Sequence, residues 1–391
     1  MKTLPQIPFV MVGRSFNSRR ITLMFENQLF NGILGKGFDL LGGSGTPKGG
    51  QEKRYEKIKT FLLKPNFNGF TKDDLFIMQF IKKGWGHDIA ALSNMAEALD
   101  NLSELNPSKL AEYQLLLKEV VYRALHPKVT PYKQDLQSVK NLGKYGYYLE
   151  HLNIILGCYQ KVVGNELVEL NERICKHLIQ NSMQYNNYHA DLLPHVNMKW
   201  SADQAAILYS IWLYDQNNGT TLGKDLSKKW LEWMKTYGTH KETGLFVTEV
   251  LGTRKYSNQP RGCALSYLVH YMGRFAPKEA QKQWELYKTH MMTRVMGKTG
   301  FREFLPDYDG TWSPDSGPII AGVGIAATGL ALNAASTIGD KKIFRDLEKS
   351  MNPVHSLLSK GDLIPGMNML AKIGTDLLSS SIWLNAETKD K

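Results

Sequence analysis

The stretch SADQAAILYSIWLYDQ, residues 201–216, decides the fold. Read as a helix capped by Ser201, it spreads its apolar residues over most sides and keeps no face for water, so it must be surrounded by protein. The next segment, KDLSKKWLEWMKTYG (224–238), is its opposite, an amphipathic helix with lysines outward. A turn-rich piece follows, HKETGLFVTEV (240–250), and then RGCALSYLVHYMGRF (261–275), apolar again. PKEAQKQWELYKTHMMTRV (277–295) reads as a second amphipathic helix and GKTGFREFLPD (297–307) as a second turn piece. A charge-free helix over 318–338 then opens a further unit.

Apolar helix, amphipathic helix and aromatic turn thus recur, with units starting at Tyr145, Ser201, Arg261 and Gly317, about 56–60 residues apart, and an earlier one near Gly86. Common helical solenoids repeat every ~34 to 47 residues. The longer period, with inner helices that an open array would leave wet, predicts an all-α fold, an (α/α)6 barrel. The sixth hairpin is expected to pair PGMNMLAKIGTDLLSSSIWL (365–384) with a helix near 72–83. Residues 1–50, ending in GKGFDLLGGSGTPKGG, read as an irregular arm or lid, and 51–391 as one toroid domain.

The chain has 391 residues and a formal charge of +11. That charge favours anionic partners such as phosphate, acidic glycans or a membrane surface. No basic run interleaves with aromatics, which excludes a nucleic-acid groove. Cys158, Cys175 and Cys263 form neither a paired set nor a CxxC, pointing to a reducing, cytoplasmic setting. The apolar patch near the N-terminus is too short for a secretory signal. The charge-free run 316–339 has the length of a membrane span, but Pro318, Thr328, Asn333 and Ser336 favour a helix buried in protein. Lys48 is followed by Gly49, so the glycine-rich segment is not a phosphate loop, and no HExxH, EF-hand, dinucleotide fingerprint or GxSxG occurs. No metal or cofactor is therefore expected.

In a ring of hairpins, every segment leading into an inner helix emerges on one face, so residues far apart in sequence converge there. Glu249, Glu303 and Asp315 are the candidate acid–base carboxyls, since such chemistry needs one carboxyl protonated and another ionised. His151 is a candidate second proton carrier. Cys263, at a helix start, is a candidate thiol of lowered pKa. Tyr147, Trp200, Asp203, Phe246, Arg261, Phe301, Arg302 and Trp312 are candidate substrate-binding residues, and inner-helix N-termini offer N–H groups to an anion. Each has a plainer reading: Asp203 as a helix-dipole residue, Cys263 and His151 as core, Arg302 and Glu303 as a surface pair.

The segments WSADQAAILYSIWLYDQ, TGLF, RGCALSYLVHYM and GFREFLPDYDGTWSPDSGPIIAGVGIAATGLA together resemble the linalool dehydratase/isomerase-like group of α/α-toroid proteins over roughly 140–340. The resemblance implies an (α/α)6 barrel, cofactor-free hydration, dehydration or isomerisation of a small allylic alcohol by cysteine, acid and tyrosine groups, and a homo-oligomer. Only Cys263 falls at the expected mouth, where that chemistry uses more than one cysteine. The main expectation is a cofactor-independent lyase or isomerase. The alternatives are a carbohydrate-active enzyme taking an oligosaccharide on the same toroid, and a non-catalytic binding toroid.

Overall fold

The computed structural model describes residues 49–75, 78, 86–250, 258–295, 297–308, 310, 313, 315–358 and 376–389, with backbone only for 352–358. The expected arm lies outside them up to residue 48. Twelve α-helices are described: α1 (Gly50–Leu62), α2 (His87–Leu105), α3 (Leu110–Ala124), α4 (Gly146–Val162), α5 (Val168–Met183), α6 (Ser201–Asn218), α7 (Lys224–Tyr237), α8 (Gly262–Phe275), α9 (Pro277–Met291), α10 (Ile325–Ile338), α11 (Lys341–Leu358) and α12 (Leu377–Thr388).

Six of them close a ring. α2 packs on α4, α4 on α6, α6 on α8, α8 on α10, α10 on α12 and α12 back on α2. α3, α5, α9 and α11 pack outside against these, and α7 against α5. Pattern explains the division: in α6 residues 201–211 are all buried, whereas α7 buries Leu226, Trp230 and Met234 and leaves its lysines outside.

The closing hairpin differs from expectation. α12 pairs with α1, not with a helix at 72–83, where the described residues 71–75 form a turn and 79–85 lie outside the description. Tyr55, Ile58, Phe61 and Leu62 give α1 its buried stripe, and Arg54 pairs with Glu387 and lies 4.3 Å from the Trp383 ring.

Two further boundaries move. The helix expected over 277–295 stops at Met291, and β1 (Met292–Val295) turns back through Gly297 to pair antiparallel with β2 (Lys298–Phe301). The helix expected from 318 starts only at Ile325, because β3 (Ile319–Ile320) and β4 (Val323–Gly324) form a tight hairpin first. Ala321 and Gly322, at φ +48° and +80°, make its left-handed turn, a conformation a continuous helix cannot contain. Among the described residues, no helix is long and apolar enough to cross a membrane.

Candidate active site

The inner-helix N-termini meet at one mouth, laced by the loops between units. Gly146 and Tyr147 at the start of α4 donate their N–H groups to the carbonyls of Asp191 and Leu192, both 3.1 Å. Ser201 N–H donates to Thr248 O (3.0 Å), Gly262 N–H to Glu303 O (2.9 Å), and Leu377 N–H, in α12, to Asp74 O (2.9 Å). Ser201 is thus not a cap: Trp200 holds that position, and the Ser201 hydroxyl donates to Val247 O. The expectation of free N–H groups for a ligand anion is narrowed at these helix starts, where neighbouring backbone occupies the first of them.

This crossing explains the glycine at the start of α8. A Cβ on Gly262 would lie 2.1 Å from Arg302 O and 2.7 Å from Ala327 Cβ, so the loop can pass only a glycine. Beside it, Glu303 is fully buried and gathers donors. Its Oε1 accepts from Arg261 Nε (2.9 Å) and from the Cys263 thiol (3.1 Å), and its Oε2 from Cys263 N–H (3.2 Å). Arg261 also donates to Ser313 Oγ at 2.8 Å. Burial lifts the Glu303 pKa, opposed by Arg261 and Cys263. Burial, reinforced by the Glu303 charge, pushes the Cys263 thiol well above its ordinary range. The reading of Cys263 as a thiol of lowered pKa is therefore reversed: it is a donor locked onto a carboxylate.

The acid pair the mouth presents is a different one. Asp203, in the first turn of α6, is 3% exposed, and burial together with the negative charge of Asp315 raises its pKa to about 7. Asp315 is exposed. Tyr147 stands close enough to feel Asp203, Glu150 and Asp315, and its phenol is held well above the usual range, first by burial. Tyr147 in turn fills the space beside Gly86, whose φ is +85° and whose absent Cβ would sit 2.1 Å from the ring.

His151 lies one turn deeper, its Nδ1 2.6 Å from Ser93 Oγ and its Nε2 2.9 Å from the Tyr267 hydroxyl. Burial pulls its pKa to about 3, so at neutral pH it is an uncharged link in a fixed chain rather than a second proton carrier. Glu249 is buried at the mouth, its backbone bridged to Trp200. The Trp200 ring is half-buried, and its indole N–H has no protein partner among the described residues. Arg302 is half-buried beside the β3–β4 turn, with its backbone bridged to Val323.

Phe246 and Phe301 do not line the mouth. Phe246 sits edge-on to Trp230, and Phe301 stacks on Tyr287 at 4.3 Å, both in the seam between inner and outer helices, where an apolar ring is best removed from water. Trp312 lies outside the described residues. The sequence reading passed over Glu150, whose signal was a carboxyl inside the apolar run GYYLEHLNIILG, three residues after Tyr147. Among the described residues no cluster of three or more His, Cys, Asp or Glu side chains is arranged to hold a metal ion.

No family model matches the chain, and no curated protein matches it. Solved structures do. Glycoside hydrolase family 76 mannosidase Bt3792 from Bacteroides thetaiotaomicron VPI-5482 has a TM-score of 0.51 at 11% identity, covering 86% of this chain and 97% of that one. An inactive variant of the family 76 alpha-1,6-mannanase of Salegentibacter sp. HEL1_6, in complex with alpha-1,6-mannotetrose, has a TM-score of 0.50 at 12% identity, covering 88% and 99%. A polysaccharide lyase matches at a TM-score of 0.48 and 10% identity, covering 76% and 89%. The fold is the (α/α)6 toroid. The resemblance to the linalool dehydratase/isomerase-like group reaches as far as that toroid, and these matches do not show that family.

Proposed function

We propose that this chain is a carbohydrate-active enzyme that cleaves a glycan at the mouth of the toroid by general acid–base catalysis. The reading rests on the Asp203–Asp315 pair. A buried carboxyl with a pKa near 7 is protonated for much of the neutral range and suited to donate to a leaving oxygen. The exposed partner, Asp315, whose charge adds to the effect of burial on that pKa, takes the role of activating water. Trp200, half-buried at the mouth, supplies an apolar ring as a platform for a sugar. The likeness to toroids that the solved structures name as mannosidase and mannanase supports glycans over a small allylic alcohol, and so does a Cys263 thiol committed to Glu303.

The test is turnover of a panel of neutral and acidic oligosaccharides, alpha-1,6-mannotetraose among them. Asp203→Asn is expected to lose at least a hundredfold in kcat while still binding. Wild-type activity falls as pH rises through about 7, where Asp203 deprotonates, and Asp315→Asn moves that limb to lower pH by removing the charge that raises it. No turnover across the panel, or an alkaline limb that ignores Asp315, refutes the assignment.

A further inference from the structure

Glu150 stands apart from every other carboxyl described. It is fully buried on the inner helix α4, and neither of its oxygens has a hydrogen-bond partner in the protein. Its nearest ion-pair candidate, His151 Nε2, is 3.8 Å away and already engaged by Tyr267. An unpaired buried carboxyl costs stability. The chain offers simple remedies, since a leucine would fit the surrounding apolar run, yet the carboxyl is there.

Its position tells what it waits for. Glu150 feels the charge of Asp203 on α6, and it stands within electrostatic reach of Tyr147 on α4 and of Tyr267 and Tyr271 on α8, which meet edge to face at 4.6 Å. Glu150 therefore lies about one helical turn in from Tyr147 on α4, near α6 and α8. Ser93, His151 and Tyr267 are linked to one another here, while the two Glu150 oxygens and the Tyr271 hydroxyl have no hydrogen-bond partner among the described residues.

We propose that Glu150 is a substrate-binding residue one turn in from the mouth, taking a hydroxyl pair of a neutral sugar unit. A protonated carboxyl presents one O–H donor and one C=O acceptor, the complement of a pair of hydroxyls. Burial and the charge of Asp203 both favour that protonated form. The chemistry selects an uncharged, hydroxyl-rich end and disfavours a uronate, to whose carboxylate a protonated Glu150 brings no positive charge. This inference deepens the glycan reading and rests on it.

The experiment compares wild type, Glu150→Gln and Glu150→Leu in thermal melts, then in calorimetric titrations with neutral tetrasaccharides, alpha-1,6-mannotetraose included, and with their uronate counterparts. Leu removes the unpaired group, so its melting temperature is expected to rise while neutral-sugar affinity falls at least tenfold. Gln keeps a donor and an acceptor, so its affinity is expected to stay within about threefold of wild type. A Leu variant that melts lower than wild type overturns the proposal, because the carboxyl is then a structural partner. A Leu variant that binds as well as wild type overturns it too, leaving a water-filled niche. Preference for the uronate counterparts overturns the choice of a neutral unit. If no sugar binds wild type, the glycan reading and this role fall together; if sugars bind and Leu changes nothing, only the role of Glu150 falls.

Discussion

Replacing Gly262 by alanine sets two physical effects against each other. In a helix, alanine is favoured over glycine by about 1 kcal/mol, so intrinsic propensity predicts a more stable protein. At Gly262 the added Cβ would stand 2.1 Å from the Arg302 carbonyl oxygen and 2.7 Å from Ala327 Cβ. The oxygen belongs to backbone, and that backbone is held by Arg302 N–H to Met291 O at 2.8 Å and by the bridge to Val323. The clash must therefore push a tethered loop, not rotate a side chain. Overpacking of this kind costs about 1–3 kcal/mol, and a main-chain collision belongs at the upper end. After subtracting the propensity gain, a net loss of about 2 kcal/mol is expected. Gly329, within α10, is the internal control: its added Cβ meets nothing nearer than Met351 Cε at 3.7 Å, so Gly329→Ala should gain about 1 kcal/mol. Urea unfolding of both variants beside wild type measures the two signs directly. Two stabilised variants would refute the account of why glycine opens α8.

Glu303→Gln is expected to destabilise by about 3 kcal/mol or more, because Arg261 stays buried without its charge partner and an amide NH2 confronts a donor; urea denaturation checks it, and a variant as stable as wild type but inactive would return Glu303 to the catalytic set. His151 gives a pH-dependent prediction. Its folded pKa of about 3 lies below the unfolded 6.5, so the unfolded chain binds the extra proton and stability is lost as pH falls from about 6.5 toward 3. Between pH 7 and pH 5 this single group removes about 2 kcal/mol from wild type and nothing from His151→Asn. The stability gap between the two proteins should shrink by that amount, and a constant gap in urea titrations would show the imidazole to be charged when folded.

The ring was legible in the sequence because its cause is local. A helix such as 201–216 shows in its own residues that it has no wet side, and the recurrence of such helices near 60 residues implies closure. What was not legible came from contacts between distant segments. The partner of α12 is the helix at 50–62, which only the folded ring brings alongside. The turn at Ala321–Gly322 left too faint a mark in a charge-free run to separate strand from helix. At the mouth, Arg261, Cys263, Glu303, Asp203 and Asp315 were recognisable from their place in the repeat. Their roles were not, because Glu303 becomes a buried hub only once Arg261 and Cys263 fold onto it, and Asp203 acquires its proton affinity from burial in the folded ring and from Asp315, more than a hundred residues away. Phe246 and Phe301 read like binding aromatics, but the outer helices supplied Trp230, Trp284 and Tyr287 to cover them.

The hairpin joining α12 to α1 has a consequence for how the molecule comes into being. Five units are made from neighbouring stretches of chain and can collapse as they leave the ribosome, but the sixth needs residues 50–62 to meet residues 377–388. Until the last helix is synthesised, the earlier units form an arc whose two flanks, on α2 and α10, lack the neighbour they are built to cover. Closure is thus a single late event of very high sequence separation, the kind that slows folding and leaves sticky edges exposed meanwhile. By the same geometry, loss of a dozen residues from 377 onward would not trim an end but open the circle.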